Sequence, residues 1–326
     1  MKVEVRDHLD AIGADAWTRL HAASRLRSPF LSWVWQAEWV RAFAAGRRLE
    51  IWTVEGADDR LVAALPLCEI APGRFQIVGG ADVSDYLDLL ADDGREEEAW
   101  LALLQARSAR RARWELHAVP EGSVTVSALP ALAAGAGLTA TVALEEKCPV
   151  LDLPPSWQAY LASLPGKHRH ELQRKTRRLE RELPGARPVC VRTPAEAAGR
   201  LDDFLALHRR SRVGKARFMD ERMDAFFRRV TAGPAEAGAL GLWLLDTPGG
   251  PIASFIILEW EGTVGLYNSG FHPDRAALAP GLVLLGHLVR DAIERGMRRF
   301  DFLRGEERYK YEFGPHPENV YRVEIA

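Results

Sequence analysis

Two connections too short for anything but a chain reversal constrain the C-terminal half of this sequence. The apolar run Leu240 to Asp246 ends at Thr247-Pro248-Gly249-Gly250. The run Ile252 to Glu259 ends at Trp260-Glu261-Gly262, after which Thr263 to Ser269 begins. Turn-forming residues between short runs rich in Leu, Ile, Trp and Val predict three strands joined by hairpins. Parallel neighbours need a crossover of about a dozen residues, so links of this length permit only an antiparallel meander.

The segments around the meander extend the pattern. Ahead of it, Pro188 to Arg192 reads as a strand. Pro194 to Ser211 reads as a helix carrying Leu201, Leu205 and His208 at helical spacing, and Met219 to Val230 as a second helix. Behind it, Gly281 to Arg295 places Leu282, Leu285, Val289 and Ile293 on one helical face, with Gly296 as a C-terminal cap. Arg299 to Leu303 and Val320 to Ile325 close the half as strands.

The first half repeats this order. Val3 to Arg6 is a strand, and Asp15 to Ala23 and Trp33 to Ala44 are helices. Leu49 to Glu55 and Leu61 to Ile70 flank the turn Gly56-Ala57-Asp58-Asp59, and Arg74 to Val78 follows. Then come a helix, Glu96 to Arg107, and two strands, Arg113 to Val119 and Leu138 to Leu144. One element order met twice in 326 residues implies two related α/β lobes, residues 1–150 and 151–326. Where the second lobe begins, a long helix is expected over about 158–183. It is crowded with Lys167, Arg169, Arg174, Lys175, Arg177, Arg178 and Arg181 above a thin stripe of Leu164, Leu172 and Leu179. It is either a linker helix with a solvated basic face or an anion-binding arm for a nucleotide, an RNA end or an acidic substrate.

Composition narrows the classes. Positive and negative side chains nearly cancel, at a formal net charge of -2, which argues against a globally basic DNA binder. Cys68, Cys148 and Cys190 lie far apart without CxxC spacing, suiting a reducing compartment better than disulfides or zinc. Met1 to Asp10 does not read as a signal peptide, and no apolar run nears the roughly 20 residues of a membrane span. The expectation is a cytoplasmic protein without a metal. GxSxG, HExxH, GxxxxGK[ST] and GxGxxG motifs are all missing.

Three clusters carry chemistry. The first is Tyr267-Asn268-Ser269-Gly270, followed after a loop by Ala279-Pro280-Gly281-Leu282 at the start of a helix. A helix N-terminus offers unpaired N–H groups and the positive end of the dipole, a seat for phosphate. Here the residues are small and the first acid after Pro280 is Asp291, whereas the matching helix of the first half opens Glu96-Glu97-Glu98. Carboxylates there satisfy the dipole internally and repel an anion. The second cluster is Asp301 between Phe300 and Phe302, followed by Arg304, Glu306, Tyr309 and Lys310. A carboxylate mid-strand between aromatics is costly unless paired or working, and Lys310 or Arg304 is a candidate partner. The third, Asp82 to Asp88, is either a site for a cationic amine or a polar turn.

The run Tyr267-Asn268-Ser269-Gly270, Ala279-Pro280-Gly281, Asp301-Phe302-Leu303-x-Gly305 and Tyr309-Lys310 resembles the C-terminal pattern of the CelD/BioF2-like acetyltransferases. These belong to the GNAT superfamily and are relatives of the FemAB/FemX peptidyltransferases. The resemblance runs from near Ser28 to Gly314 and implies tandem GNAT lobes, each a mixed, mainly antiparallel sheet flanked by helices. It also implies acyl transfer from a thioester to an amine, with acetyl-CoA or another acyl-CoA as co-substrate. By the same resemblance, Tyr267, Asn268 and Ser269 edge the pantetheine and Ala279, Pro280, Gly281 and Leu282 hold the pyrophosphate. A single glycine stands where the usual pyrophosphate loop has two. Asp301 or Glu306 is expected as the base and Lys310 as an orienting or charge-stabilising group. Asp85, Tyr86, Arg304 and Tyr309 are expected around an amine or peptide acceptor. The alternatives are Fem-type transfer from aminoacyl-tRNA and a non-catalytic binding module.

Overall fold

The alternating apolar runs fold into strands β1 (Lys2–Arg6), β2 (Leu49–Glu55), β3 (Leu61–Ala71), β4 (Arg74–Ile77), β5 (Leu90–Ala91), β6 (Arg113–Pro120) and β7 (Ala140–Asp152). The chain continues through β8 (Arg187–Val191), β9 (Leu240–Asp246), β10 (Ala253–Trp260), β11 (Thr263–Phe271), β12 (Arg299–Asp301) and β13 (His316–Ile325). The computed structural model describes residues 1–107, 112–211 and 213–326. It divides into one unit of Met1–Lys147 with Glu318–Ala326 and another of Cys148–Pro317.

The two units share one plan. In the first, the sheet order is β1-β2-β3-β4-β6-β13, with β5 paired to β3; in the second it is β8-β9-β10-β11-β12-β7. Each sheet is antiparallel except at a single pair, β4 with β6 and β11 with β12, which run parallel. Both parallel pairs are bridged by a crossover containing a helix, Glu96–Arg107 or Pro280–Glu294, as parallel neighbours require. The class is therefore mixed α/β, with mainly antiparallel sheets flanked by helices.

Three segments differ from the sequence expectation. Val320 to Ile325, read as the closing strand of the second half, pairs with β6 of the first unit (Val323 opposite Leu116). The strand beside β12 is instead β7 (Phe300 opposite Leu151), which continues eight residues past Leu144. Alternation marks a strand but not its neighbour. The basic segment expected as one helix over 158–183 is two, Trp157–Ser163 and Gly166–Glu182, broken at Leu164-Pro165. Proline lacks an N–H and disfavours helical geometry in the residue before it, and Leu164 is extended at ψ 141°. Finally, a short helix Val213–Phe218 precedes Glu221–Glu236, which is capped by Asp220.

In the second unit the helix Pro280–Glu294 buries Val283, Leu284, Leu285, Leu288, Val289, Ala292 and Ile293, and residues of this face pack with Phe255, Ile257 and Leu266 of the meander. Full burial of such a side chain is worth about 1.5–3 kcal/mol. The helix stops at Gly296, where φ is +73° and the Gly296 and Met297 N–H groups close back on Ile293 and Ala292. Among the described residues, no helix is long and apolar enough to cross a membrane, and no cluster of three His, Cys, Asp or Glu is placed to hold a metal.

The first unit buries the last carboxylate of the Asp82 to Asp88 cluster. Asp88 accepts the Leu89 N–H at 2.8 Å and the hydroxyls of Ser123 and Thr125, and Thr125 accepts the Trp100 indole N–H at 2.9 Å. Burial pushes its pKa up to about 6 against the hydrogen bonds, which favour the charged form. A carboxyl whose folded value lies above its unfolded one binds more protons folded than unfolded between about pH 4 and 6, so its contribution to stability falls as pH rises through that window. Asp88→Asn is expected to remove this dependence. Urea midpoints at pH 4, 5, 6 and 7 check it: the stability difference between the two proteins should change by roughly 1–3 kcal/mol in favour of the variant toward pH 7.

Candidate active site

The site in the second unit begins with a strand pair that separates. The β11–β12 ladder covers only Thr263, Val264 and Gly265, opposite Arg299, Phe300 and Asp301. Beyond Asp301 the chain turns away through Leu303, a non-glycine residue at φ +54°. Two buried side chains hold that turn. The Asp301 carboxylate accepts the Leu303 N–H at 2.7 Å. The Lys310 ammonium donates to the carbonyls of Leu303 (3.3 Å), Arg304 (2.8 Å) and Gly305 (3.0 Å) and pairs with Glu307 at 2.9 Å. The remainder of β11, from Leu266 to Phe271, is left without β12 along that edge.

Pairing with β10 decides which groups face the opening. The bonds His272 N–H to Ile252 O and Glu259 N–H to Ala239 O, both 2.8 Å, fix the alternation. With Ser254 opposite Gly270 and Ile256 opposite Asn268, those residues turn their peptide groups toward one another. Ser269 and Phe271 therefore turn theirs to the open edge. The register slips between Ile256 and Ile257, making Tyr267 the extra residue of a β-bulge, a device found beside active sites because it re-aims the backbone.

Packing behind the strand is tight. A Cβ on Gly270 would stand 2.5 Å from the backbone nitrogen of His208, so only glycine lets the helix Pro194–Ser211 lie directly on β11. His208, read in the sequence as part of an apolar stripe, is 1% exposed and lies among Phe204, Phe218 and Phe227, with Tyr267 stacked on Phe227 at 5.6 Å. Burial, with the Lys215 charge second, pushes its pKa down to about 3, so the ring is neutral at physiological pH. It is hydrogen-bonded to Asn268.

A cavity of about 310 Å³ joins these features. Its walls include Ser269, Gly270 and Phe271 of β11, Ala279, Pro280, Gly281 and Leu282 at the helix start, and the charged groups Lys175, Lys215, Glu307 and Glu312, with Tyr309. The first turn of the Pro280 helix holds no acid. Its cap, Ala279, is left-handed at φ +50° and makes no side-chain cap bond. No atom lies within 4 Å of where a Cβ on Gly281 would stand, so the turn is open. In the first unit, the corresponding helix begins with Glu96, Glu97 and Glu98.

Of the sequence-derived candidates, Ser269, Ala279, Pro280, Gly281, Leu282 and Tyr309 line this cavity. Tyr267 and Asn268 lie on the same strand, outside that lining. Asp301 and Lys310 are buried in the loop beside it, Arg304 contributes a carbonyl to Lys310, and Glu306 is exposed, accepting the Tyr311 hydroxyl at 3.1 Å. Asp85 and Tyr86 belong to the other unit, where the Tyr86 carbonyl accepts the Ser28 hydroxyl at 3.1 Å. Sequence reasoning missed Lys215, Glu307 and Glu312 as lining residues. It named Lys175 only as one charge of a basic helix, and nothing in spacing distinguishes these four.

Known proteins share the fold described above. Residues 166–311 match the model of the acetyltransferase (GNAT) domain family. The solved structure of FemX is similar over 99% of this chain and 97% of its own, at a TM-score of 0.65 and 10% identity. The C-terminal domain of a putative lysylphosphatidylglycerol synthetase from Agrobacterium fabrum is similar over 96% of this chain and 91% of its own, at a TM-score of 0.61 and 13% identity. L-PGS from Bacillus licheniformis is similar over 88% of this chain and 86% of its own, at a TM-score of 0.58 and 12% identity. At these identities the likeness is one of fold. No curated protein sequence matches the chain.

Lys310 makes a test of the loop. Lys310→Met strands three carbonyls in a partly buried turn, and the expected loss is about 2–4 kcal/mol of stability. Urea denaturation measures that loss, and amide exchange of the segment 302–312 should rise well above that of β10.

Proposed function

We propose that the second unit is an acyl-CoA-dependent N-acyltransferase that moves an acyl group from a thioester to an amine by direct attack. The observation carrying this reading is that one cavity holds both the open edge of β11 and an acid-free helix N-terminus. An extended amide-bearing arm adds to the edge at Ser269 and Phe271 much as a strand would. The pyrophosphate belongs at the first turn of the Pro280 helix, where unpaired N–H groups and the dipole favour an anion, and Lys175 adds positive charge. We further propose that the chain belongs with the CelD/BioF2-like branch of the GNAT group, on Tyr267-Asn268-Ser269-Gly270 and Tyr309-Lys310.

The chemistry follows from where the arm ends. At the Tyr267 bulge the ladder is locally broken, and a backbone N–H freed there polarises the thioester carbonyl oxygen. The neutral amine attacks the carbonyl carbon, the C–N bond forms, and collapse of the tetrahedral intermediate breaks the C–S bond and releases a thiolate, which takes up a proton equivalent to the one the amine gives up. The amine proton passes to a cavity carboxylate, Glu307 or Glu312, directly or through water. Asp301 and Lys310 serve this arrangement by holding the loop that carries Glu307.

A second reading has its own observation. The helix Gly166–Glu182 carries seven Lys and Arg against three Glu, and with the FemX-like fold this suits transfer from a charged tRNA. Salt-dependent tRNA binding that is lost on neutralising Arg177, Arg178 and Arg181 would favour it.

Gly281→Glu separates the readings, because a side chain there meets open space and changes charge without a clash. Calorimetric titration with coenzyme A is expected to show saturable binding by the unmodified protein and an affinity roughly 5- to 30-fold lower in the variant. Undiminished affinity removes the helix as the pyrophosphate seat.

A further inference from the structure

Ser269 turns both of its peptide groups to the open edge of β11, yet neither is bare. The Lys215 ammonium, on the helix Val213–Phe218, donates to the Ser269 carbonyl at 2.5 Å and to its hydroxyl at 3.1 Å. The Ser269 N–H is donated to the Asn268 side-chain oxygen at 2.8 Å. Asn268 is in turn hydrogen-bonded to His208, which is packed beneath the strand. A strand edge in a half-buried groove invites pairing and is costly to leave unsatisfied, at about 1–3 kcal/mol for each group. Here two side chains of the chain itself fill the positions that an added strand would fill.

The donor proposed above needs those same positions. An extended arm pairing with this edge must offer an N–H to the Ser269 carbonyl, and Lys215 already stands there. We propose that Lys215 holds the place of the donor's amide in the free protein, so that an amide-bearing thioester arm binds by displacing it from Ser269. Lys215 thereby sets donor affinity. This rests on the acyl-CoA reading of the cavity.

The chemistry of the two occupants indicates which one yields. Lysine is a point charge on a flexible four-carbon stem with three interchangeable donors, so it releases one acceptor and finds another at little cost. Asn268 is a short side chain anchored to a buried ring and stays in place.

Titration of the full chain with coenzyme A, unmodified and as Lys215→Met, tests the displacement. The variant is expected to bind roughly 3- to 10-fold more tightly, the worth of one net hydrogen bond no longer competed for. Weaker or unchanged binding by a variant with an unaltered circular dichroism spectrum overturns the proposal. Binding by neither protein overturns the acyl-CoA reading together with it, whereas binding by the unmodified protein without tightening in the variant overturns the displacement alone. Reductive methylation read by mass spectrometry gives a second measure that needs no variant. Lys215 should label faster at saturating coenzyme A than in the free protein, and slower labelling on adding coenzyme A would mean a direct donor contact instead.

Discussion

The parting of β12 from β11 is what the rest of the second unit depends on. Two strands that run parallel for three residue pairs are kept apart afterwards because Leu303 adopts a left-handed conformation that a branched side chain rarely takes. That conformation persists because Asp301 and Lys310, both buried, satisfy the backbone of the turn from two sides. An unbroken ladder would seal the edge of β11 and leave no groove beside the Pro280 helix.

The first unit shows a related device put to another use. Ala118, on β6, is likewise left-handed at φ +54°, and its N–H is held by the Glu145 carboxylate at 2.6 Å. The plan of strands, the parallel pair and the crossover helix recur. What differs is charge, since three glutamates open its helix where the second unit has Pro280, Gly281 and Leu282. Shared topology supplies a position near a helix N-terminus. Whether that position attracts or repels an anion is decided by a few side chains at its first turn.

Much of the fold is legible in the sequence for local reasons. The turns at Thr247 to Gly250 and Trp260 to Gly262 admit only hairpins, and the spacing of Leu282, Leu285, Val289 and Ile293 admits only a helix with one buried face. The break at Leu164-Pro165 is legible too, given the weight proline deserves. The candidate site is legible in part. Ser269, Gly281 and their neighbours stand out because the absence of an acid and the presence of small residues are properties of the chain itself. Lys215 and Glu312 carry no such mark, because a charged residue on a helix looks the same whether it faces water or a cavity.

The amino-acid sequence by itself determined the elements, their order, the duplicated plan and the electrostatic contrast between two helix N-termini, all properties of short stretches of chain. Only the tertiary structure decided that the C-terminal strand joins the first unit and that the end of β7, from Cys148, joins the second, since pairing partners are chosen by long-range packing that alternation does not encode. It also decided that Lys310 is spent on three carbonyls of one loop and that Lys215 reaches the edge of β11. The contact of Lys215 with Ser269 links residues that the chain keeps 54 positions apart, and it exists only once the sheet has brought them together.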